Sequence, residues 1–251
     1  MSSRRAGTAA AVRGRRVRRV RPTTAVAAAV GAAVAAGGTL AWVTDRAPYP
    51  YSQRWILDLP LPLLSPARLA AVLAARPGQR VLEIGPGTGL QALHVAPLLA
   101  PGGRLDILDV QPKMLAHVTR RARARGIDNI VAHHGEASAL PFPDATFDAA
   151  YLVTVLGEIP NRRLALHELR RVLRPHARLV IGEFVDRHHV TLTTLTRDAN
   201  SAGLHFTDRT GVPLAYYAAF QPCQATSRAG AEHKTSRSNP TGPPTPRHTA
   251  P

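Results

Sequence analysis

Apolar and polar positions alternate along the middle of the chain in a way that predicts strands separated by helices. Short apolar runs mark strands near Arg80–Ile84, Arg104–Leu108, Ile130–His133, Phe147–Val153, Arg178–Phe184, Leu204–Asp208 and Ala215–Phe220. Helix-compatible segments lie between them, near Leu90–Leu99, Pro112–Arg125, Arg162–Leu173 and Leu192–Ala202. Ser65 before Pro66 is a capping pair for one more helix, running to Ala75. Regular β/α alternation implies an α/β fold with a doubly wound, mostly parallel seven-stranded sheet. The last two strands, separated by Thr210-Gly211, predict an antiparallel carboxy-terminal hairpin.

The densest turn chemistry follows the first of these strands. Val81 to Gly89 reads VLEIGPGTG: an apolar run, the acid Glu83, then Gly85, Gly87 and Gly89 at alternate positions. Residues without a Cβ reach unusual backbone angles and let a ligand approach the main chain. The second strand ends in Asp109, about 20 residues on, where an acid can accept ribose hydroxyls. A glycine-rich turn with no ligand is the plainer alternative, but the order strand, acid, glycines, second acid points to a nucleoside cofactor. A dinucleotide site would carry its third glycine where this chain has Leu90. An acid directly before the loop would also repel pyrophosphate. It would welcome a cation such as S-adenosylmethionine, which bears a sulfonium and an ammonium.

Four ordered segments carry a family resemblance: VLEIGPGTG; LDVQPKML (Leu108–Leu115); GEASALPFPDATFDAAYLV (Gly135–Val153); and HELRRVLRPHARLVIGEF (His167–Phe184). From about Leu69 to Phe220 the chain resembles the class I S-adenosylmethionine-dependent methyltransferases, closest to the type-11 subgroup, whose sheet is Rossmann-like. The resemblance implies that Glu83 and the Gly85-Gly87-Gly89 turn hold the methionine end of the cofactor. It implies that Asp109 binds the ribose, with Val110 against the adenine face. Glu136 would accept from the adenine amino group, with the Ala137 backbone nearby. Two departures stand out. Many quinone-pathway relatives carry Leu-His-His after the fourth strand, where this chain has Leu156, Gly157 and Glu158. The turn before the fifth strand, usually glycine-ended, is Pro175, His176, Ala177.

Length and charge add an organisation around that domain. A chain of 251 residues can bury one sizeable core and leave extensions. One cysteine, Cys223, excludes an internal disulfide framework and a cysteine metal cluster. The net charge of +16 is unevenly spread: residues 1–22 contribute +8 and residues 224–251 contribute +3, leaving +5 for the rest. The expected division is a basic disordered arm (1–22), an Ala-rich apolar segment (23–44), a proline- and aromatic-rich strap or lid (45–65), the methyltransferase domain (66–222) and a disordered tail (223–251). Thr23–Val43 has no charged residue and is long enough to span a bilayer, although alanine, glycine and threonine give it weak hydrophobic drive. Arginines before it would hold the amino terminus in the cytoplasm, and a single span would then export the domain away from its cofactor. The expectation is a cytoplasmic domain, membrane-associated through residues 23–43, with the arm on an anionic membrane surface. An export signal and a poorly structured extension are the alternatives. Such an arm can also bind nucleic acid by counterion release, but no specific nucleic acid is expected.

Methyl transfer from a sulfonium is an in-line displacement with a neutral leaving group, so positioning supplies much of the acceleration. No metal is needed. A base is needed only when the acceptor is protonated near neutral pH. No catalytic base stands out. Glu158, on the ligand side of the sheet after the fourth strand, is the candidate acceptor-orienting group, against a plain loop or capping role. His188 and His189 after the fifth strand are weighed the same way. His167 reads as a surface residue, His133 and His134 as packed or solvated, and Tyr216-Tyr217 as sheet packing. The leading function is methyl transfer to a small-molecule or lipid-like acceptor. A non-catalytic, membrane-tethered cofactor-binding adapter is the second reading. Amino methylation of nucleic acid is the third; it would show Asn/Asp-Pro-Pro-aromatic where Leu152, Val153, Thr154 and Val155 stand.

Overall fold

The computed structural model describes residues 50–58 and 64–223. The basic arm, the Ala-rich segment 23–43 and the tail 224–251 lie outside the described residues. Seven strands form one sheet: β1 (Arg80–Ile84), β2 (Arg104–Asp109), β3 (Ile130–His134), β4 (Phe147–Val153), β5 (Leu173–Phe184), β6 (Leu204–Val212) and β7 (Ala215–Pro222). Their order is β3-β2-β1-β4-β5-β7-β6. The first five pair in parallel, and β7 runs antiparallel to both β5 and β6. The α-helices are α1 (Pro66–Leu73), α2 (Ala92–Leu98), α3 (Pro112–Arg123), α4 (Arg162–Val172) and α5 (Leu192–Ser201). A 3-10 helix at Tyr51–Asp58 precedes them and another, Leu156–Glu158, follows β4.

Period-two alternation sends successive strand residues to opposite faces. Val81, Ile107, Tyr151, Val180 and Tyr217 pack with Leu69 and Leu73 of α1, Val95 of α2 and Val118 of α3. Leu82, Leu108, Leu152, Ile181 and Tyr216 pack on the other face with Leu166 and Leu169 of α4 and Leu195 of α5. Both faces are covered, so the central parallel strands β1, β2, β4 and β5 are mostly apolar along their buried lengths. Ser65 caps α1 as expected, its hydroxyl accepting from the Arg68 backbone N–H.

Two expectations need correction. The hairpin turn is Pro213-Leu214, not Thr210-Gly211, because β6 continues to Val212. Gly211 permits this: its φ is +111°, and a Cβ there would lie 2.3 Å from the Ala215 carbonyl oxygen. Strand β5 begins at Leu173 rather than Arg178. Buried Leu173 pairs with Phe147 and ends the helix early, and the register then shifts so that Ala149 faces Arg178. Exposed Arg174, Pro175 and His176 loop out in between. Proline lacks the ladder donor, which suits it to this irregularity.

No helix among the described residues is long and apolar enough to cross a membrane.

Candidate active site

The strand ends β1, β2, β4 and β5 meet on one edge of the sheet, where the order reverses between β1 and β4. Ligands of open α/β sheets bind at such a switch point. Gly85, Gly87 and Gly89 all adopt left-handed angles, with φ of +65°, +53° and +88°. The turn is wedged on two sides. A Cβ on Gly85 would sit 2.6 Å from Val155 Cγ2, and one on Gly89 would sit 2.9 Å from Val118 Cγ1 of α3. Glycine is thus demanded by conformation and by space. The Gly85 N–H donates to the Leu108 carbonyl, tying the turn to the end of β2.

Glu83 lies beneath this turn, only 3% exposed, and among the described residues its Oε2 has no hydrogen-bond partner. Burial pushes its carboxyl up to about 8; the neighbouring Tyr151 phenol works against that shift and the charge of Asp109 adds to it. Tyr151 is the residue opposite Glu83 in the β1–β4 register. Its hydroxyl interacts with the carboxylate, and Glu83 Oε2 stays without a partner among the described residues. Asp109 ends β2 at 8% exposure, and its Oδ1 accepts from the Gln111 N–H at 2.7 Å. Burial raises its pKa to about 6, against that hydrogen bond and the nearby His134. Val110 beside it is exposed, an apolar face open to a flat ring.

Glu136 and Ala137 follow β3. The Gly135 N–H donates to the Asp109 carbonyl at 3.2 Å, which brings this loop beside the ribose candidate. Glu136 is exposed, with the Ser138 hydroxyl 3.3 Å from its Oε2, and Ala137 is buried. Arg171 of α4 fixes the rest of the loop, donating to the Leu140 and Phe142 carbonyls. The sequence-derived residues Glu83, Gly85, Gly87, Gly89, Asp109, Val110, Glu136 and Ala137 thus gather along one edge.

The candidates for an acceptor-orienting role lie beyond β4. Thr154 turns the chain with a φ of +56°, an uncommon angle for a β-branched residue, and delivers Val155 onto Gly85 and Glu158 into a half-buried position. His188 Nε2 lies 3.9 Å from Glu158 Oε1. His189 is half-buried and bonded to the Phe184 carbonyl, and His167 is exposed. His133 holds Asp106 at 2.8 Å and packs edge-on to Phe142, a structural role; His134 reaches the Val110 carbonyl. Tyr216 and Tyr217 are fully buried in the sheet. Among the described residues, no group of three or more His, Cys, Asp or Glu side chains is placed to hold a metal ion.

Sequence reasoning missed three groups here. The Thr88 hydroxyl donates to Asp58 at 2.7 Å, and Arg121 of α3 donates to both Asp58 and the Thr88 carbonyl. The Tyr51–Asp58 helix therefore docks on the glycine turn, within the segment expected as a strap or lid. Tyr151 and Glu183 are the other two: each faces the site through strand register, which no local motif encodes.

The donor set fits S-adenosylmethionine. A buried carboxylate with an unpaired oxygen suits a cationic amino-acid end, left-handed glycines leave room for close approach, and Asp109 beside exposed Val110 would suit a nucleoside. A methyltransferase-domain profile matches residues 81–176. Among curated proteins, the ubiquinone/menaquinone biosynthesis C-methyltransferase UbiE of Shewanella frigidimarina is 34% identical over 119 residues, 47% of each chain. The 27-O-demethylrifamycin SV methyltransferase of Amycolatopsis mediterranei is also 34% identical over 119 residues, 47% of this chain and 43% of that one. The chain thus spans about half the length of the curated relatives it matches. Among solved structures, an S-adenosylmethionine-dependent methyltransferase from Aquifex aeolicus superposes with a TM-score of 0.63 at 22% identity, covering 69% of this chain and 98% of that one. The [4+2]-cyclase SpnF does so at 0.56 and 21%, covering 63% and 80%. Residues 81–176 thus carry a class I S-adenosylmethionine-dependent methyltransferase domain, a family whose methyl donor is S-adenosylmethionine.

Proposed function

We propose that the protein transfers the methyl group of S-adenosylmethionine to a small-molecule or lipid-like acceptor. The observation that carries this is Glu83: a buried carboxylate with an unpaired oxygen under a left-handed glycine turn, one strand away from Asp109. A buried, unpaired carboxylate is costly unless something meets it. A sulfonium and ammonium ligand would draw Glu83 into its ionised form. When bound, the cofactor supplies an electrophilic methyl group on a neutral leaving group. Glu83 and the turn 85–89 would orient the methionine end, Asp109 the ribose, and Val110, Glu136 and the Ala137 backbone the adenine. The names of the two curated relatives, one from quinone biosynthesis and one acting on a demethylrifamycin, support a small organic acceptor.

In this reading the catalytic domain spans 66–222, residues 45–65 form its strap, and the eight arginines of residues 1–22 with the uncharged segment 23–43 bring it to the cytoplasmic face of a membrane. Calorimetry of the full chain with S-adenosylmethionine, its demethylated product and a nicotinamide dinucleotide tests the cofactor. The first two are expected to bind. Equal or tighter binding of the dinucleotide would sink the reading.

A further inference from the structure

The loop between β3 and β4, residues 135–146, lies outside the sheet, so its backbone polar groups need partners elsewhere. It carries Glu136 and Ala137, the residues proposed to face adenine. Its near end is tied where the Gly135 N–H donates to the Asp109 carbonyl at 3.2 Å. Its far end runs along the last turn of α4. There the Ala145 N–H donates to the Arg171 carbonyl and the Thr146 N–H to the Val172 carbonyl. Between those ends, two side chains of α4, Glu168 and Arg171, take hold of the loop.

Every guanidinium N–H of Arg171 meets an acceptor. Nε and Nη2 donate to the two oxygens of Glu168, at 2.8 and 2.7 Å. Nη2 also donates to the Leu140 carbonyl at 3.0 Å. Nη1 donates to the Phe142 carbonyl at 2.7 Å and to Asp144 Oδ1 at 2.9 Å. Glu168 Oε2 in turn accepts from the Leu140 N–H at 2.8 Å. One ion pair on a single helix turn thus grips both backbone polar groups of Leu140. Buried Phe142 anchors the same stretch from beneath, edge-on to Phe147.

What remains between the fixed ends is the turn 136–139, closed by the Ala139 N–H on the Glu136 carbonyl at 3.1 Å. Ala137 is buried under it, and the Glu136 side chain is exposed with the Ser138 hydroxyl beside it. An exposed carboxylate takes its place from the backbone that carries it. We infer that Glu168 and Arg171 are positioning residues for the cofactor's base. They hold the turn where Glu136 accepts from the adenine amino group, and so set the choice of adenine over a 6-oxopurine. This inference rests on the methyltransferase reading above and deepens its cofactor site. Neither side chain has to touch the cofactor.

The residue types suit this task. A planar guanidinium is a rigid fork that reaches a carboxylate and two carbonyls at once; a lysine ammonium lacks that shape. Hydrogen bonds tolerate only a few tenths of an ångström, so a loop displaced by about 1 Å would take Glu136 out of reach. The purine reports that displacement. Adenine turns an N–H toward the carboxylate, whereas a 6-oxopurine turns an oxygen toward it and two acceptors then face each other. A site built to accept an N–H rejects the analogue that lacks it. A pair that only stabilised the domain would affect both purines alike.

Calorimetry on the full chain with S-adenosylhomocysteine and S-inosylhomocysteine, which differ at the 6-position of the purine, separates the two roles. Wild type is expected to prefer the adenine form about 10-fold or more. Glu136→Ala should remove most of that preference. Arg171→Lys and Glu168→Gln should each lower it severalfold, chiefly by weakening the adenine form. Circular dichroism on the same samples shows which variants are folded. Should Arg171→Lys not fold, Glu168→Gln, which keeps the side chain's shape, decides. A folded variant that keeps the wild-type preference, whether its two affinities fall together or not at all, would overturn the positioning role. Wild type that binds both purines equally would overturn Glu136 as the adenine acid, and the inference with it. Wild type that binds neither would instead overturn the methyltransferase reading.

Discussion

Gly85→Ala isolates the turn on which the cofactor reading depends. Two costs are separable. The native φ of +65° lies in the left-handed region, which costs an L-residue with a Cβ about 1–2 kcal/mol. The new methyl would also meet Val155 Cγ2 at 2.6 Å and Cγ1 at 2.8 Å, closer than packed carbons tolerate. Overpacking of this kind costs about 1–3 kcal/mol. The expected destabilisation is therefore about 2–5 kcal/mol, a large share of a typical domain's stability but short of abolishing the fold. Val155→Ala alone removes two methyls from a half-buried side chain and should cost about 1 kcal/mol.

The double variant distinguishes the two costs. Truncating Val155 removes the steric part and leaves the conformational part, so the pair should be more stable than the sum of the singles by about 1–3 kcal/mol. Urea unfolding followed by far-ultraviolet circular dichroism measures this, and calorimetry on the same samples reads cofactor affinity. Stability should return further than affinity, because the φ strain still tilts the turn. A Gly85→Ala protein as stable as wild type would refute the wedge. A double variant with no coupling would show that Val155 is not what the methyl meets.

Three further outcomes follow from the site. Asp109→Ala should weaken cofactor binding by about 1–3 kcal/mol, the value of a hydrogen bond to a charged group; unchanged calorimetric affinity would mean that this acid does not reach the ribose. Asp58→Ala removes the acceptor shared by Thr88 and Arg121 and should weaken cofactor binding severalfold with little change in unfolding midpoint; a large stability loss with intact affinity would make the Tyr51–Asp58 helix a plain strap. Glu83, Glu158 and Glu183 are all raised from 4.5 to about 8, so the folded state favours their protonated forms. Their stabilising contribution is complete below the unfolded pKa and is lost as pH rises through the folded one, so the unfolding free energy of the cofactor-free protein should decline between about pH 5 and about pH 8. Cofactor binding in that window should release protons, seen as a buffer-dependent calorimetric heat; a buffer-independent heat would contradict ionisation of Glu83 by the ligand.

The glycine turn and strand-end acids of the candidate cofactor site were legible because their constraints are local. Left-handed φ values at Gly85, Gly87 and Gly89 leave a visible mark in the sequence, since other residues resist them. Asp109 was legible because a strand end fixes its position. Beyond β4 the sequence singles out Glu158 and His188 as candidates, but what they meet depends on register and loop closure. Tyr151 meets Glu83 only because β4 pairs with β1 in one particular register. His188 comes within 3.9 Å of Glu158 only because Gly157 lets one loop settle on another. Asp58 finds its partners 30 and 63 residues away. The same reason explains the misplaced hairpin turn: Thr210-Gly211 has turn composition, but Gly211 serves a close approach between paired strands rather than the turn itself.

The charge distribution gives the site its selectivity. The chain is strongly basic, yet Glu83, Asp109, Glu158, Glu183 and Asp186 all sit at or just beyond the carboxyl ends of β1, β2, β4 and β5. Several arginines around the domain are committed elsewhere: Arg80 and Arg104 to Asp106, Arg162 and Arg163 to Asp198, and Arg171 to Glu168 and Asp144. An anionic cofactor would have to enter against several buried carboxyls, each costly to ionise beside another negative charge. A cation that brings a sulfonium and an ammonium relieves that cost at entry. Once the methyl group is lost the sulfur is neutral, so the demethylated product brings one positive charge fewer to these carboxyls than the donor does.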